Sequence, residues 1–308
     1  MISIVLGSYN RLPFLQLAIT SIRNQQEPPQ AVEIIVIDGG STDGSLEWLL
    51  AQKDIITLVQ HNRGEWHGRV IERRSWGYFM NLAFKCASSK YICMISDDTV
   101  LHPDALNKGY KRFEGLLKEG RKVGALAFYW RELIRHDFYH VGTPFKQLMY
   151  VNHGMFLKSA LEQINFIEEE EFQFYYADND LAFKLWDAGY EICDAPDSLV
   201  EHYPYANVNI RSTNENRSKK DFKALCTRWE KKFSQLKDGR ALGEMKKLYV
   251  EDRGVAAVFN ELHAAVIKKH PHLVKPSFGR WLYLDISWKL IVLKKRIKKI
   301  FGGQFKKD

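Results

Sequence analysis

The chain has little cysteine and little proline, four and nine among 308 residues. Cys86, Cys93, Cys193 and Cys226 form no C-x-x-C pair, which fits reduced thiols in a cytosolic protein better than a disulfide framework. Long apolar runs are absent as well. Stretches such as Val123–Trp130 fall far short of the roughly 20 residues a spanning helix needs. The opening MISIVLGSYN is apolar at once, with no basic region before it, which argues against a secretory signal. No GxxxxGK[ST] loop occurs, so a P-loop nucleotidase is excluded. No GxGxxG follows the first apolar run, which disfavours dinucleotide binding. These absences predict a soluble, cytoplasmic chain.

The composition is that of a globular protein, 45% hydrophobic and 27% charged, with enough apolar material for a sizeable core. The net charge of +8 is unevenly spread. Residues 1–215 hold 21 Lys and Arg against 28 Asp and Glu, whereas residues 216–308 hold 24 against 9. A chain split this way carries a segment suited to an anionic partner. The break predicts a domain at 1–215 and a basic helical extension at 216–308.

Within the first part, short β-branched runs alternate with helical patterns. Ile2–Leu6 and Glu33–Ile37 read as buried strands, and Ile55–Val59 and Tyr91–Ile95 as a third and a fourth strand. Between them, Leu12–Ile22, Ser45–Ala51 and Tyr78–Ala87 carry helical spacing. Further on, Val123–Trp130 and Gln147–Leu157 read as strands, Asp180–Ala188 as a helix and Glu191–Cys193 as a short strand. The polar stretch 207–218 reads as a loop. The β-α-β order predicts an α/β fold with a mostly parallel sheet flanked by helices.

Ligands of such sheets bind beyond the carboxyl ends of the strands. Three polar clusters fall there: Gly7-Ser8-Tyr9-Asn10-Arg11, Asp38-Gly39-Gly40-Ser41-Thr42-Asp43 and Ser96-Asp97-Asp98. Each alone is also a good tight turn or helix cap. Adjacent carboxylates repel unless a cation or a hydrogen-bond network compensates them. Mg²⁺ or Mn²⁺ would do so, together with the oxygens of a nucleotide diphosphate. Arg73 and Arg74 lie in a polar insertion that either reaches phosphate oxygens or is a solvated loop. Trp130 and Tyr176 are suited to stack on sugar rings or to form a wall.

The strings ISIVLGSYNRLPFLQLAITSIRNQ, EIIVIDGGSTDGS, MNLAFKCASSKYICMISDDTVLHPDAL and YYADNDLAFKLWDAGY resemble the family 2 glycosyltransferases of the GT-A fold, over about residues 1–205. The resemblance implies inverting, metal-dependent transfer of one sugar from a nucleotide-diphosphate donor, with UDP favoured. It implies that Ser8, Tyr9, Arg11 and Asp38 hold the nucleoside and that Asp97 faces the ribose or donor sugar. Asp98 matches the metal-binding carboxylate, and His202 falls where some members supply a histidine to the metal. Asn81 matches an asparagine that precedes the acidic motif. Asp178 matches the general base, and Asp180 either braces the following helix or touches the acceptor. The chain departs from the family pattern at Gly7, Gly39, Ser96 and Ala177.

Leu282, Ile286, Leu290, Leu293, Ile297, Ile300 and Phe301 form a helical stripe, with eight Lys and Arg between Lys289 and Lys307. Such a stripe suits the surface of an anionic membrane, here through residues 279–307. The alternative is a helix packed on the domain. No nucleic-acid reader motif is present. The expected acceptor is therefore a cell-surface glycan or lipid-linked saccharide, met at the cytoplasmic face of a membrane. A non-catalytic sugar-nucleotide-binding partner of another transferase is the competing reading. A nucleotidyltransferase would need a GxGxRLxPLT-like loop after the first strand, which GSYNRLPFLQ does not supply.

Overall fold

The computed structural model describes residues 1–26, 31–132, 138–143, 148–203, 217–233, 244–250 and Lys268. Residues 1–253 form one compact unit and 254–308 a second. The amphipathic stripe at 279–307 and most of the polar stretch 207–218 lie outside the described residues.

The elements alternate from the start: β1 (Ile2–Ser8), α1 (Leu12–Arg23), β2 (Val32–Asp38), α2 (Ser45–Leu50) and β3 (Ile55–Val59). A two-stranded ribbon follows, β4 (Glu65–Trp66) with β5 (Arg69–Val70), then α3 (Trp76–Cys86), β6 (Tyr91–Met94), β7 (Thr99–Leu101) and α4 (Ala105–Lys118). Next come β8 (Val123–Glu132), β9 (Tyr139–Gly142), β10 (Gly154–Leu157) and α5 (Lys158–Gln163). The last are α6 (Ala177–Asp187), β11 (Glu191–His202), α7 (Ser218–Trp229) and β12 (Met245–Leu248).

Ten strands make one sheet, in which β12-β9-β8-β10-β6-β1-β2-β3 are neighbours and β11 joins β8 to β7. The half built by β-α-β units is parallel, β6 to β1 to β2 to β3. Beyond β6 the sheet is mixed, since β10 lies antiparallel between β6 and β8. The α/β class is as expected; beyond β6, the parallel pairing of β8 with β11 follows helices α5 and α6, and the other described pairs there are antiparallel.

Strands β1, β2 and β6 are continuous apolar runs because both faces of the sheet are covered. Ile2, Ile4, Leu6, Val36 and Cys93 pack with Leu15 and Ile19 of α1 and with Phe113 of α4. Helix α3 begins at Ser75, whose hydroxyl accepts from the Tyr78 amide at 3.1 Å. Gly77, one residue into it, is required by contact, because a Cβ there would sit 2.5 Å from the Glu168 carbonyl oxygen. Among the described residues no helix is long and apolar enough to cross a membrane.

Candidate active site

The carboxyl ends of β1, β2 and β6 open into a cavity of about 510 Å³, within the usual range for small-molecule sites. Two loops are knitted together at its floor. The Asn10 amide donates to the Ser41 hydroxyl at 2.9 Å, and the Thr42 amide donates to the Asn10 side chain at 2.7 Å. Asp43 accepts the first amide of α1, from Leu12, at 3.0 Å. The polar residues between strand and helix therefore fix one loop against the other.

Behind them, Asp38 is fully buried. Its Oδ1 accepts from the amides of Gly40 and Ser41 at 2.8 and 2.7 Å, and its Oδ2 from the Ser41 hydroxyl at 2.7 Å. Asp38 holds the turn and does not line the cavity. Gly39 does line it, with the Tyr9 ring packed over it: a Cβ at Gly39 would stand 3.1 Å from Tyr9 Cδ2. Arg63 in turn lies 5.2 Å from the centroid of Tyr9.

The acidic turn after β6 is buried and paired. Arg11 Nη1 donates to Asp97 Oδ1 at 2.8 Å and to Asp98 Oδ2 at 3.0 Å. Burial opposes the charge on Arg11, yet the two carboxylates outweigh it and hold the guanidinium above its ordinary value. For Asp97, burial dominates and keeps the carboxyl above the usual range, with Asp98 adding to it and Arg11 opposing. Asp98 goes the other way: burial is more than offset by His202 and Arg11, and the Ser96 hydroxyl donates to it at 2.6 Å.

His202 reaches Asp98 because β11 runs antiparallel to β7, the strand that leaves the acidic turn. Its Nε2 lies 3.5 Å from Asp98 Oδ1. Trp130 stands beside it, ring centroids 5.5 Å apart, with His153 on the same side. Burial, aided by His202, lowers the pKa of His153 to about 3, so it is neutral at physiological pH.

Asp178 lies in the first turn of α6, just after Tyr176, which adopts φ +64°. Its Oδ1 accepts from the Asn179 amide and its Oδ2 from Asn152 Nδ2, each at 2.9 Å. Burial pushes its pKa up to about 6, against the backbone amide of Asn179 that donates to it. A carboxylate of that strength is ionised at neutral pH and still basic enough to take a proton.

Ser8, Tyr9, Arg11, Arg73, Arg74, Asp97, Asp98, Trp130, Tyr176, Asp178 and His202 thus share one cavity. Asn81 and Asp180 do not line it. Asn81 donates to the Ile167 carbonyl and the Glu169 carboxylate at 2.8 and 2.7 Å and accepts from the Ile167 amide at 3.0 Å, pinning that loop to α3. Asp180 is buried between α6 and α7, where Trp229 Nε1 donates to it at 2.6 Å and Arg228 Nε lies 3.2 Å away. Asn152 and Gln173 line the cavity without any sequence signal that singles them out.

Asp98 and His202 present an oxygen and a nitrogen at a separation that adjacent ligands of one cation can adopt. Among the described residues no cluster of three or more such ligands occurs. That small set fits a hard divalent ion whose remaining positions are filled by phosphate oxygens and water.

The fold is of the GT-A type. Its solved likenesses include a mannosyltransferase of Pyrobaculum calidifontis in complex with GDP-Man and Mn²⁺, at TM-score 0.54 and 16% identity, over 94% of this chain and 80% of that one. TarS of S. aureus matches at TM-score 0.52 and 13% identity, over 76% of this chain and 43% of that one. Its 1–349 fragment in complex with UDP-GlcNAc matches at 0.53 and 12%, over 90% and 76%. In sequence, an uncharacterized glycosyltransferase of Nostoc sp. is 26% identical over 114 residues, 37% of this chain and 33% of that protein. The match thus spans a third of that curated relative. Residues 3–120 match the family model described as Glycosyl transferase family 2.

Proposed function

We propose that the protein transfers one sugar, with inversion, from a nucleotide-diphosphate donor to a saccharide acceptor. The observation that carries this reading is Asp178: a buried carboxylate, oriented by Asn152, in one cavity with the Arg11–Asp97–Asp98 group. In the reaction, Asp178 accepts the proton of the acceptor hydroxyl as that oxygen bonds to the anomeric carbon. The bond from that carbon to the diphosphate breaks on the opposite side, and the nucleoside diphosphate leaves with the electron pair. Tyr9 and Ser8 would hold the nucleoside, with Gly39 leaving room for the Tyr9 ring. Arg73 and Arg74, on the cavity wall, would meet the diphosphate.

A Mn²⁺ or Mg²⁺ ion would be held by Asp98 and His202, and when bound it would offset the charge growing on the leaving diphosphate. UDP is the favoured nucleotide. The basic composition of residues 279–307 supports a lipid-linked acceptor met at a membrane surface. On this reading the transferase chemistry lies within residues 1–215.

The test is a screen of UDP-, GDP- and dTDP-sugars with Mn²⁺ or Mg²⁺, read by nucleotide release and by the anomeric configuration of the product. Release from one donor, lost on chelation and in Asp98→Ala, with an inverted product, is expected. Binding of a donor without release, even with glycan acceptors or membrane extract present, would instead mark a non-catalytic partner of another transferase.

A further inference from the structure

Helix α7 meets the segment leading into Asp178 at several points, and the one that packing alone does not require is Asp221. Its side chain is buried, at 1% exposure. Oδ1 accepts from the Gln173 amide at 3.2 Å, and Oδ2 accepts from the amides of Phe174 and Tyr175, each at 3.0 Å. Its described partners are these three consecutive amides. Burying a carboxylate is costly unless it is hydrogen-bonded, so an apolar residue would serve better if the site only needed filling. Successive amides converging on one anion form a nest, and hydrogen bonds to a charged acceptor are about twice as strong as neutral ones.

The segment so held is the cavity wall. Gln173, Phe174, Tyr175 and Tyr176 line the cavity, and the left-handed turn at Tyr176 delivers the chain into α6 and Asp178. The far side is fixed by α3, whose Trp76 amide donates to the Gln173 carbonyl at 2.9 Å. Arg217 donates to the Gln173 side chain at 2.8 Å, and the Phe222 ring lies 5.4 Å from that of Tyr176.

We propose that Asp221 is a positioning residue: by gathering the amides of residues 173–175 it sets the acceptor-side wall and the entry of α6, and so the place of Asp178. The inference rests on the transferase reading. It makes α7, which lies beyond residue 215, part of the working site. Asp221 touches no reacting atom.

The test uses the full chain with Asp221→Asn, whose amide oxygen can take two of the three N–H groups, and Asp221→Ala, which can take none. Hydrogen exchange at residues 173–175 is expected to quicken from wild type to Asn to Ala. The kcat is expected to fall in the same order, about tenfold or more for Ala, as small displacements of a reacting group produce. Donor KM and nucleotide Kd should stay within twofold, because Tyr9, Arg11 and the acidic turn are untouched. Unchanged exchange would overturn the proposal. So would wild-type kcat despite faster exchange, or kcat and donor affinity falling together. A wild type that turns over no donor would sink the transferase reading at the control, and the positioning role with it, while exchange would still report whether the clamp exists.

Discussion

Asn152 Nδ2 donates to Asp178 Oδ2 at 2.9 Å, from the turn before β10 to the first turn of α6. Two segments distant in sequence are thereby joined at the carboxylate that faces the cavity. A hydrogen bond donated to a carboxylate favours its ionised form, whereas burial favours the neutral one. Asn152→Leu removes the donor and keeps water out. The acid limb of kcat should then move above pH 6 and the rate at pH 7 should fall about tenfold, which a pH–rate profile reads directly. An unmoved limb would separate Asn152 from the base.

The wild-type rate should itself fall on the acid side, with its midpoint near pH 6, as Asp178 takes up a proton. Stability should move oppositely. Burial raises the folded pKa to about 6 from 3.8, so the favourable contribution is complete below about pH 4 and is lost as pH rises through 6. Asp178→Asn should therefore be more stable than wild type at pH 8, by about 1–2 kcal/mol, and no more stable at pH 4. Thermal midpoints at the two pH values check the sign.

Arg11 donates to both carboxylates of the acidic turn. Arg11→Leu leaves two buried carboxylates without it and should cost about 3–5 kcal/mol at pH 7.5. The loss should shrink in acid, where Asp97, held above the usual carboxylate range by burial, protonates. Arg11→Lys, with one compact charge in place of a fork, should recover part of the stability. Denaturant unfolding at pH 7.5 and pH 5 distinguishes this from a general packing defect, which would be pH-independent.

A Cβ at Gly39 would press on the Tyr9 ring, 3.1 Å from Cδ2, so the ring must give by a few tenths of an ångström. Gly39→Ala should displace the Tyr9 ring and weaken nucleotide binding about tenfold, with a change in stability below about 1 kcal/mol, since the residue lies at the cavity wall. Calorimetric titration with UDP and GDP reads the first effect and thermal unfolding the second. Undiminished affinity would remove Tyr9 from the nucleotide site.

Strands β1, β2 and β6 were legible because buried parallel strands must be continuous apolar runs, and the edge strand β3 by its β-branched run. The rest of the sheet was less so. The expected strand at Gln147–Leu157 is described only as Gly154–Leu157, and Asn152 and His153 just before it line the cavity instead. The expected strand at Glu191–Cys193 runs on to His202, past a register shift between Ala195 and Leu199 that conceals it. The acidic motifs were visible as patterns, but Asp38 and Asp180 prove to be buried braces, and a turn-holding carboxylate reads like a ligand-holding one. Asn152 and Asp221 left no sequence signal. Their importance comes from contacts 26 and 46–48 residues away, which no local spacing encodes.

The central claim is that Asp178 takes the acceptor proton. The most direct measurement is acceptor-dependent nucleotide release by wild type and Asp178→Asn, with donor Kd measured on both. The account predicts equal donor affinity and a rate lower by about 10²–10⁴-fold in the variant. Transfer by Asp178→Asn at the wild-type rate would contradict it.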